Sequence, residues 1–479
     1  MRVFVQHPTG SRARGRGPGL LVSALAPLLA LSLAACEGLL DVDLPGNVVA
    51  ADLSDPVLAE TLVLSAQGDF DCGLTDMWYP GQWFEEFQNT SQGRPNALAG
   101  LRSALLQVYA DPCSSGTGPI WTPLQLPRQQ AKRAIDLING FPAFANRDFL
   151  VAKSRLYEGY SIQILGEQFC AVTFDGGPLI TRAQAYDSAE VKFTDAIALA
   201  SASITAGVRV AEATAVRNAA YVGRARARLY QWQYSGGAAK DVIDDASLVP
   251  LSFRYEATYL ATPSRNRNKI FEYNNNGGGF QPWQDYTNLR IAADGRHFVG
   301  TTGGVADPRV PMTYGPDLDP RGFTGPYRRQ RKFIRREAPI PFATGREALL
   351  MIAEVNPAQS VAIVNQLRGT STGMYAGTPN SGIVAWTSPL PTISAATAAA
   401  MTATQIRDLV REERRRELWM QGTHGGDKIR LAYPAWDAAD EFGGVLRDVT
   451  SIDDPVTPGV DGTGCIPIPF LEVAANPNI

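Results

Sequence analysis

Histidine is the scarcest residue of this 479-residue chain: only His7, His297 and His424 occur. Three isolated histidines, with no CxxC and no Cys/His spacing, supply no ligand set for a metal. Cysteine is also sparse, at five. Neither an HExxH zinc helix nor a Cys/His or serine-elbow nucleophile arrangement is read in the sequence. Carboxylate pairs stand at Asp69/Asp71 and Glu85-Glu86, but such near neighbours on one helix point apart, whereas glycoside cleavage needs two carboxyls converging across a sugar. The chain is therefore read as a non-enzyme that uses no cofactor. No Pro/Ser-rich linker divides it, and no apolar run reaches the roughly 20 residues of a spanning helix.

What is present begins at the N-terminus. Arg2, Arg12, Arg14 and Arg16 precede an uncharged, Leu/Ala-rich stretch from Leu20 to Ala35, and Leu33-Ala34-Ala35 lead into Cys36. A positive region, a short apolar core and small residues before the break make a secretory signal over residues 1–35. Cys36 stands where cleavage leaves a lipid-bearing Cys as the new first residue, so this stretch resembles the bacterial lipobox. A signal with an incidental Cys is the alternative. An acyl chain such as palmitate on Cys36 would anchor the chain at the outer membrane, because Glu37 is not the Asp associated with inner-membrane retention. Removing the leader discards four arginines and takes the formal charge from −3 to about −7. An acidic exported chain is a poor partner for nucleic acid. Cys72, Cys113, Cys170 and Cys465 remain, an even number that permits two disulfides with three possible connectivities.

Periodicity divides the rest into helical and irregular zones. Ala189, Phe193, Ala196, Ile197, Ala200 and Ile204 recur at spacings of three and four within 185–205, as do Ala220, Gly223, Ala227 and Tyr230 within 214–233. Each set lies on one helical face, and the small residues admit a close neighbour. The segments 128–139 and 149–166 make a second helical pair, and 346–355 and 358–368 a third. Repeated pairs of this kind look like tetratricopeptide-type units without a strict 34-residue consensus. Asn274-Asn275-Asn276-Gly277-Gly278-Gly279 and Thr301-Thr302-Gly303-Gly304 break any helix within 251–340. The expected architecture is a mainly α, single domain over 36–479. Its helical frame spans about 125–245 and 346–430, with a few short strands and loop-rich, ligand-facing zones at about 65–125, 251–340 and 369–400.

Several motifs fall in a fixed order along this frame. Arg346-Glu347-Ala348-Leu349-Leu350 through Glu354, then Val364-Asn365-Gln366-Leu367-Arg368, resemble a helix pair of SusD/RagB-type outer-membrane lipoproteins. Ile406, Glu413-Arg414, Arg416-Glu417-Leu418-Trp419, Gly422, Asp427 and Arg430 resemble the charged segment of that family, and Ile466-Pro467-Ile468-Pro469 with Glu472, Asn476 and Pro477 its ending. Asp307-Pro308-Arg309, Lys332-Phe333 and Ala225–Tyr230 fall where the family shows similar pairs and a similar helix. Gln421 and His424 depart from the pattern, and the N-terminal half matches loosely. The resemblance implies a SusD-like fold and a non-catalytic lid that captures oligomeric nutrients, glycan before peptide. It also implies a SusC-like TonB-dependent barrel as partner.

Read as residues, Glu413, Arg414 and Glu417 are spaced for ion pairs within one helix whose Leu409, Val410 and Trp419 face the core. Asp427 and Arg430 continue this structural motif. Pro467 and Pro469 favour an extended tail that clamps the frame. The basic run Arg328–Lys332 reads as a solvated strand. Trp78, Tyr79, Trp83, Trp283 and Tyr286 are the candidate ligand residues, since aromatic faces stack on sugar rings or peptide side chains. Core packing is the competing use of any such ring. An exported hydrolase and a purely structural envelope lipoprotein are the alternative functions.

Overall fold

The computed structural model describes residues 55–75, 87–89, 113, 121–276, 280–282, 286–315, 327–430 and 468–479, all within the unit Ser54–Ile479. The leader, Cys36, Trp78, Tyr79, Trp83, Trp283, Pro467 and Cys465 lie outside these residues.

Helices dominate. Beside the short helices Lys269–Phe271 and Ala395–Ala400, they are α1 (Ala59–Thr75), α2 (Trp121–Gly140), α3 (Arg147–Gln168), α4 (Arg182–Thr205), α5 (Val210–Ser235), α6 (Ala239–Ala246), α7 (Gly345–Val355), α8 (Pro357–Gly369), α9 (Ala403–Glu417), α10 (His424–Arg430) and α11 (Phe470–Ala475). Their starts are set locally. Thr181 and Gln184 form a reciprocal capping box on α4, Thr402 and Gln405 do the same on α9, and the Thr344 hydroxyl accepts from the Glu347 amide to start α7. Each such cap satisfies donors that have no partner within the helix. The sequence-predicted helical pairs at 128–166, 185–233 and 346–368 are observed as α2/α3, α4/α5 and α7/α8.

Small residues set the spacing inside the frame. Gly159 of α3 and Gly223 of α5 both lie against the Phe193 ring of α4, where an added Cβ would stand 2.8 and 2.5 Å from ring carbons. Tyr160 packs edge-on to Phe193 and to Phe342, at 4.9 Å in each case, and Phe70 of α1 reaches Phe342 at 5.0 Å. Burying each such ring stabilises by about 1.5–3 kcal/mol. This core joins α1, α3, α4 and the buried strand β7 (Ile340–Thr344), which pairs antiparallel with β1 (Arg254–Ala257). Beyond it lies a three-stranded antiparallel sheet of β2 (Leu289–Ile291), β3 (His297–Val299) and β4 (Val305–Ala306), in the order β3-β2-β4. Elsewhere β5 (Met312–Gly315) pairs antiparallel with β6 (Tyr327–Gln330).

Three expectations need correction. The zone beginning at residue 65 is not all loop: 65–75 belongs to α1, because Val63, Ala66, Phe70 and Leu74 repeat at helical spacing and are buried. After Pro469 the tail forms the short helix α11 rather than staying extended. It still clamps the frame: the Trp121 indole donates to Glu472 at 3.2 Å, and the Asn476 amide donates to Thr173 Oγ1 at 3.2 Å and to the Gly177 carbonyl at 2.9 Å. The basic run is a strand, as expected, but not a solvated one. Gln330 and Lys332 are buried, and the Lys332 ammonium donates to the Trp419 carbonyl.

Cys72 and Cys113 form a disulfide, with Cα atoms 5.6 Å apart, and Cys170 is also disulfide-bonded. No described helix is long and apolar enough to cross a membrane.

Candidate functional site

Helix α9 carries the densest charge of the chain, and its charged residues from Glu412 to Glu417 are all buried. Burying ionised groups is costly unless each is paired and hydrogen-bonded. Glu413 meets three partners from other elements: Arg309 Nη1 donates to it at 2.5 Å, Arg368 Nη2 at 2.8 Å, and His297 Nε2 lies at 2.8 Å. Arg346 of α7 donates to Glu417 at 2.5 and 3.0 Å. Arg309 also grips Asp307 at 2.8 and 2.7 Å, which accounts for the buried Asp307-Pro308-Arg309 turn. Glu412 takes Arg415 at 2.7 and 2.8 Å and Arg416 at 2.6 Å.

The expected intrahelical partnership of Arg414 with Glu417 is therefore corrected. Arg414 reaches Asp427 of α10 at 2.7 Å, and Asp427 also accepts from Arg430 at 3.0 Å. Within the helix, Glu412 pairs with Arg415 and Arg416, and Asp408 with Arg407 at 3.1 Å and Arg411 at 3.8 Å. Burial raises the cost of every charge here, but the neighbouring guanidiniums outweigh it, so the Glu412, Glu413, Asp307 and Asp427 carboxyls are held below their usual range. His297 responds in the opposite sense: burial first, then Arg416 and Arg368, push it down to about 3, so it is neutral at physiological pH.

A cleft of about 300 Å³ opens against this centre, lined by Ala292, Asp294, Arg296, His297, Phe298, Met401 and Gln405. It lies between the β2/β3 hairpin and the start of α9. The hairpin turn is held by Arg368, whose Nη1 donates to the Gly295 carbonyl at 2.5 Å and to that of Pro391 at 3.0 Å. Gly295 has φ +85°, and a Cβ there would stand 2.5 Å from the Thr392 backbone, so only glycine fits. The cleft is thus fixed in shape by charges buried behind it. Its volume is at the small end for ligand pockets. Asp294 and Arg296 offer an acceptor and a donor, while Phe298 and Met401 offer apolar surface. That combination suits non-covalent capture of a polar group with an apolar face, and neutral His297 is not poised as an acid at neutral pH.

Of the aromatic ligand candidates, Tyr286 is the one among the described residues, and it does not face a cleft. It is 1% exposed, stacked on Trp419 at 5.7 Å, with the Arg415 guanidinium 4.7 Å from its ring. Core packing has claimed it. The cleft residues carried no sequence signal beyond the Asp294-Gly295 turn, and His297 none at all, because their convergence depends on distant segments. One string, Gly369-Thr370-Ser371-Thr372-Gly373, does have G-x-S-x-G spacing. It begins at the last residue of α8 rather than linking a strand to a helix, so it is not a nucleophile elbow. Among the described residues no cluster of His, Cys, Asp and Glu is arranged to hold a metal.

No protein-family model matches the chain, and no curated protein matches it in sequence. Solved structures do match its fold. A SusD homologue from Bacteroides thetaiotaomicron is 14% identical with a TM-score of 0.57, covering 89% of this chain and 97% of the other. A SusD/RagB family protein from the same organism is 15% identical with a TM-score of 0.54, covering 89% and 94%. The surface glycan-binding protein A from Bacteroides uniformis is 14% identical with a TM-score of 0.52, covering 89% and 99%. A likeness that spans nearly the whole length of each chain at such low identity leaves one assignment of architecture: this is a SusD-like fold carried by a divergent sequence.

Proposed function

We propose that the mature chain is a cell-surface lipoprotein, anchored through Cys36, that captures oligomeric nutrients without cleaving them. It passes them to a SusC-like TonB-dependent barrel in the outer membrane. Glycan is the favoured ligand and peptide the second. The observation that carries this reading is the full-length likeness to SusD-type structures, one of them named as a surface glycan-binding protein. The lipobox-like approach to Cys36 supports the location, and the cleft beside Phe298 and Met401 supports capture of one unit of a ligand.

Purification from detergent-solubilised outer membrane tests the partnership: a large β-barrel should accompany the protein, and recovery of monomer alone under gentle conditions counts against it. A glycan and peptide array on the soluble Cys36→Ser form tests capture. Binding without product release is expected, and turnover abolished by a single carboxylate substitution would instead establish a hydrolase.

A further inference from the structure

Behind α10 the frame contains a carboxyl that no role described so far uses. Glu167 lies in the last turn of α3, fully buried, and neither of its oxygens has a hydrogen-bond partner. Arg226 and Arg414 act on it electrostatically and Arg430 lies on the covering helix; each has a carboxylate of its own, although the Arg414 Nη atoms carry no hydrogen bond. Arg226 of α5 is bidentate on Glu347 of α7 at 2.7 and 2.6 Å, Arg414 of α9 holds Asp427, and Arg430 of α10 holds Glu354 of α7 at 2.8 Å. Three cations face three carboxylates, and Glu167 is a fourth. Its nearest cation is Arg226 Nη1, only at 4.0 Å. Gln163, one turn back on α3, is buried with neither amide atom bonded, so it supplies an uncharged polar neighbour rather than a counterion. Tyr230 of α5 and Tyr186 of α4 are buried phenols held neutral beside it. Arg182, at the start of α4, donates to backbone, giving to the Gly166 carbonyl at 2.8 Å and the Glu167 carbonyl at 3.2 Å, and His424 of α10 packs against the Tyr286 ring at 6.2 Å.

An ionised Glu167 would be a buried charge with no donor in hydrogen-bond contact, and burial of that kind is resolved by taking up a proton. Helix α10 closes the site from above. Gly426 sits so close that a Cβ would stand 2.2 Å from the Tyr230 hydroxyl, 3.0 Å from Glu167 Cβ and 3.1 Å from its Cγ, so α10 rests directly on the stem of this side chain.

We propose that Glu167 is an internal proton-binding site that seats α10 on the helical frame, holding it firmly while protonated and loosening it once the proton is lost. Burial, partly offset by Arg226, raises the carboxyl from 4.5 to about 7, which agrees with the charge count. The sign follows from linkage: a folded-state pKa above the unfolded one gives stability that is complete at low pH and lost as pH rises from about 4.5 through 7. Helix α10 bears Asp427 and Arg430, which tie α9 to α7, so its seating is coupled to the charged centre behind the cleft.

Thermal melts of the whole chain in detergent, wild type against Glu167→Gln, test this. The Gln variant should gain on the wild type as pH rises from 4.5 to 7.5, by about 4 °C, and the gap should level off above that. A melting difference that is the same at pH 4.5 and pH 8.5 overturns the proposal. Amide exchange on the wild type alone gives an independent reading. Protection of residues 424–430 should fall about a hundredfold across the same pH range while that of α4 stays constant. Protection in α10 that does not change with pH overturns it equally.

Discussion

Glu413 shows how a single residue can be a motif in sequence and a keystone in space. Its carboxylate answers Arg309, Arg368 and His297 at once, all fully buried. Replacing it by Gln keeps the shape but leaves two guanidiniums without their shared counterion. Removing one partner of a buried pair typically costs about 3–5 kcal/mol. Urea denaturation of Glu413→Gln should show a loss in that range, and a loss under about 1 kcal/mol would mean that water already screens the centre. Since Arg368 also holds the Gly295 turn, the variant should weaken any ligand bound at the Asp294/Arg296 cleft. That a Glu and several Arg occupy this helix is legible in the sequence. Which Arg meets Glu413 is not, because Arg368 and Arg309 lie 45 and 104 residues away.

At the scale of elements, the α3/α4/α5 layer depends on glycines that helix propensity disfavours. Gly223→Ala on an exposed helix would stabilise by roughly 0.5–1 kcal/mol. Here the new methyl would meet the Phe193 ring at 2.5 Å, and overpacking of this kind costs about 1–3 kcal/mol. The expected net effect is destabilisation, measurable as a lower denaturation midpoint. Adding Phe193→Leu to the same protein should recover part of the loss, and a Gly223→Ala variant as stable as the wild type would show that the ring moves freely. The positions of these helices were readable from three-and-four spacing in Phe193, Ala196 and Ala200, and from Ala220, Gly223 and Ala227. Helix α1 was missed because its apolar face is interrupted by Asp69 and Asp71, polar residues that only tertiary partners make tolerable: Arg265 for the first, and for the second Thr258, whose amide and hydroxyl each donate at 3.2 Å.

For the whole molecule, two sets of carboxyls bound the pH range of stability. The carboxyls around α9, together with Asp175, which Arg128 and Lys132 hold near 2, have depressed pKa values. Their contribution is present above about pH 4 and lost as acid protonates them. Asp71 behaves oppositely: burial lifts it to about 7, so its contribution is complete below about pH 4 and lost as pH rises to 7. Stability should therefore peak in the mildly acidic range. The Asp71→Asn variant should gain about 2–4 kcal/mol on the wild type by pH 8, with little gain at pH 4. A melting profile that rises steadily from pH 5 to pH 8 would contradict this.

The sequence by itself determined the helices at their periodic positions and the ordered motifs that resemble SusD/RagB proteins. These rest on local chemistry, namely caps, three-and-four spacing and short peptide signals, and so survive without tertiary information. Only the tertiary structure decided where each charge finds its counterion, that Tyr286 serves the core, that Asp294 and Met401 share a cleft, and that neither Glu167 oxygen meets a hydrogen-bond donor. Those outcomes depend on which distant side chains share a desolvated volume, and in that volume an unpaired charge costs more than any local preference can offset.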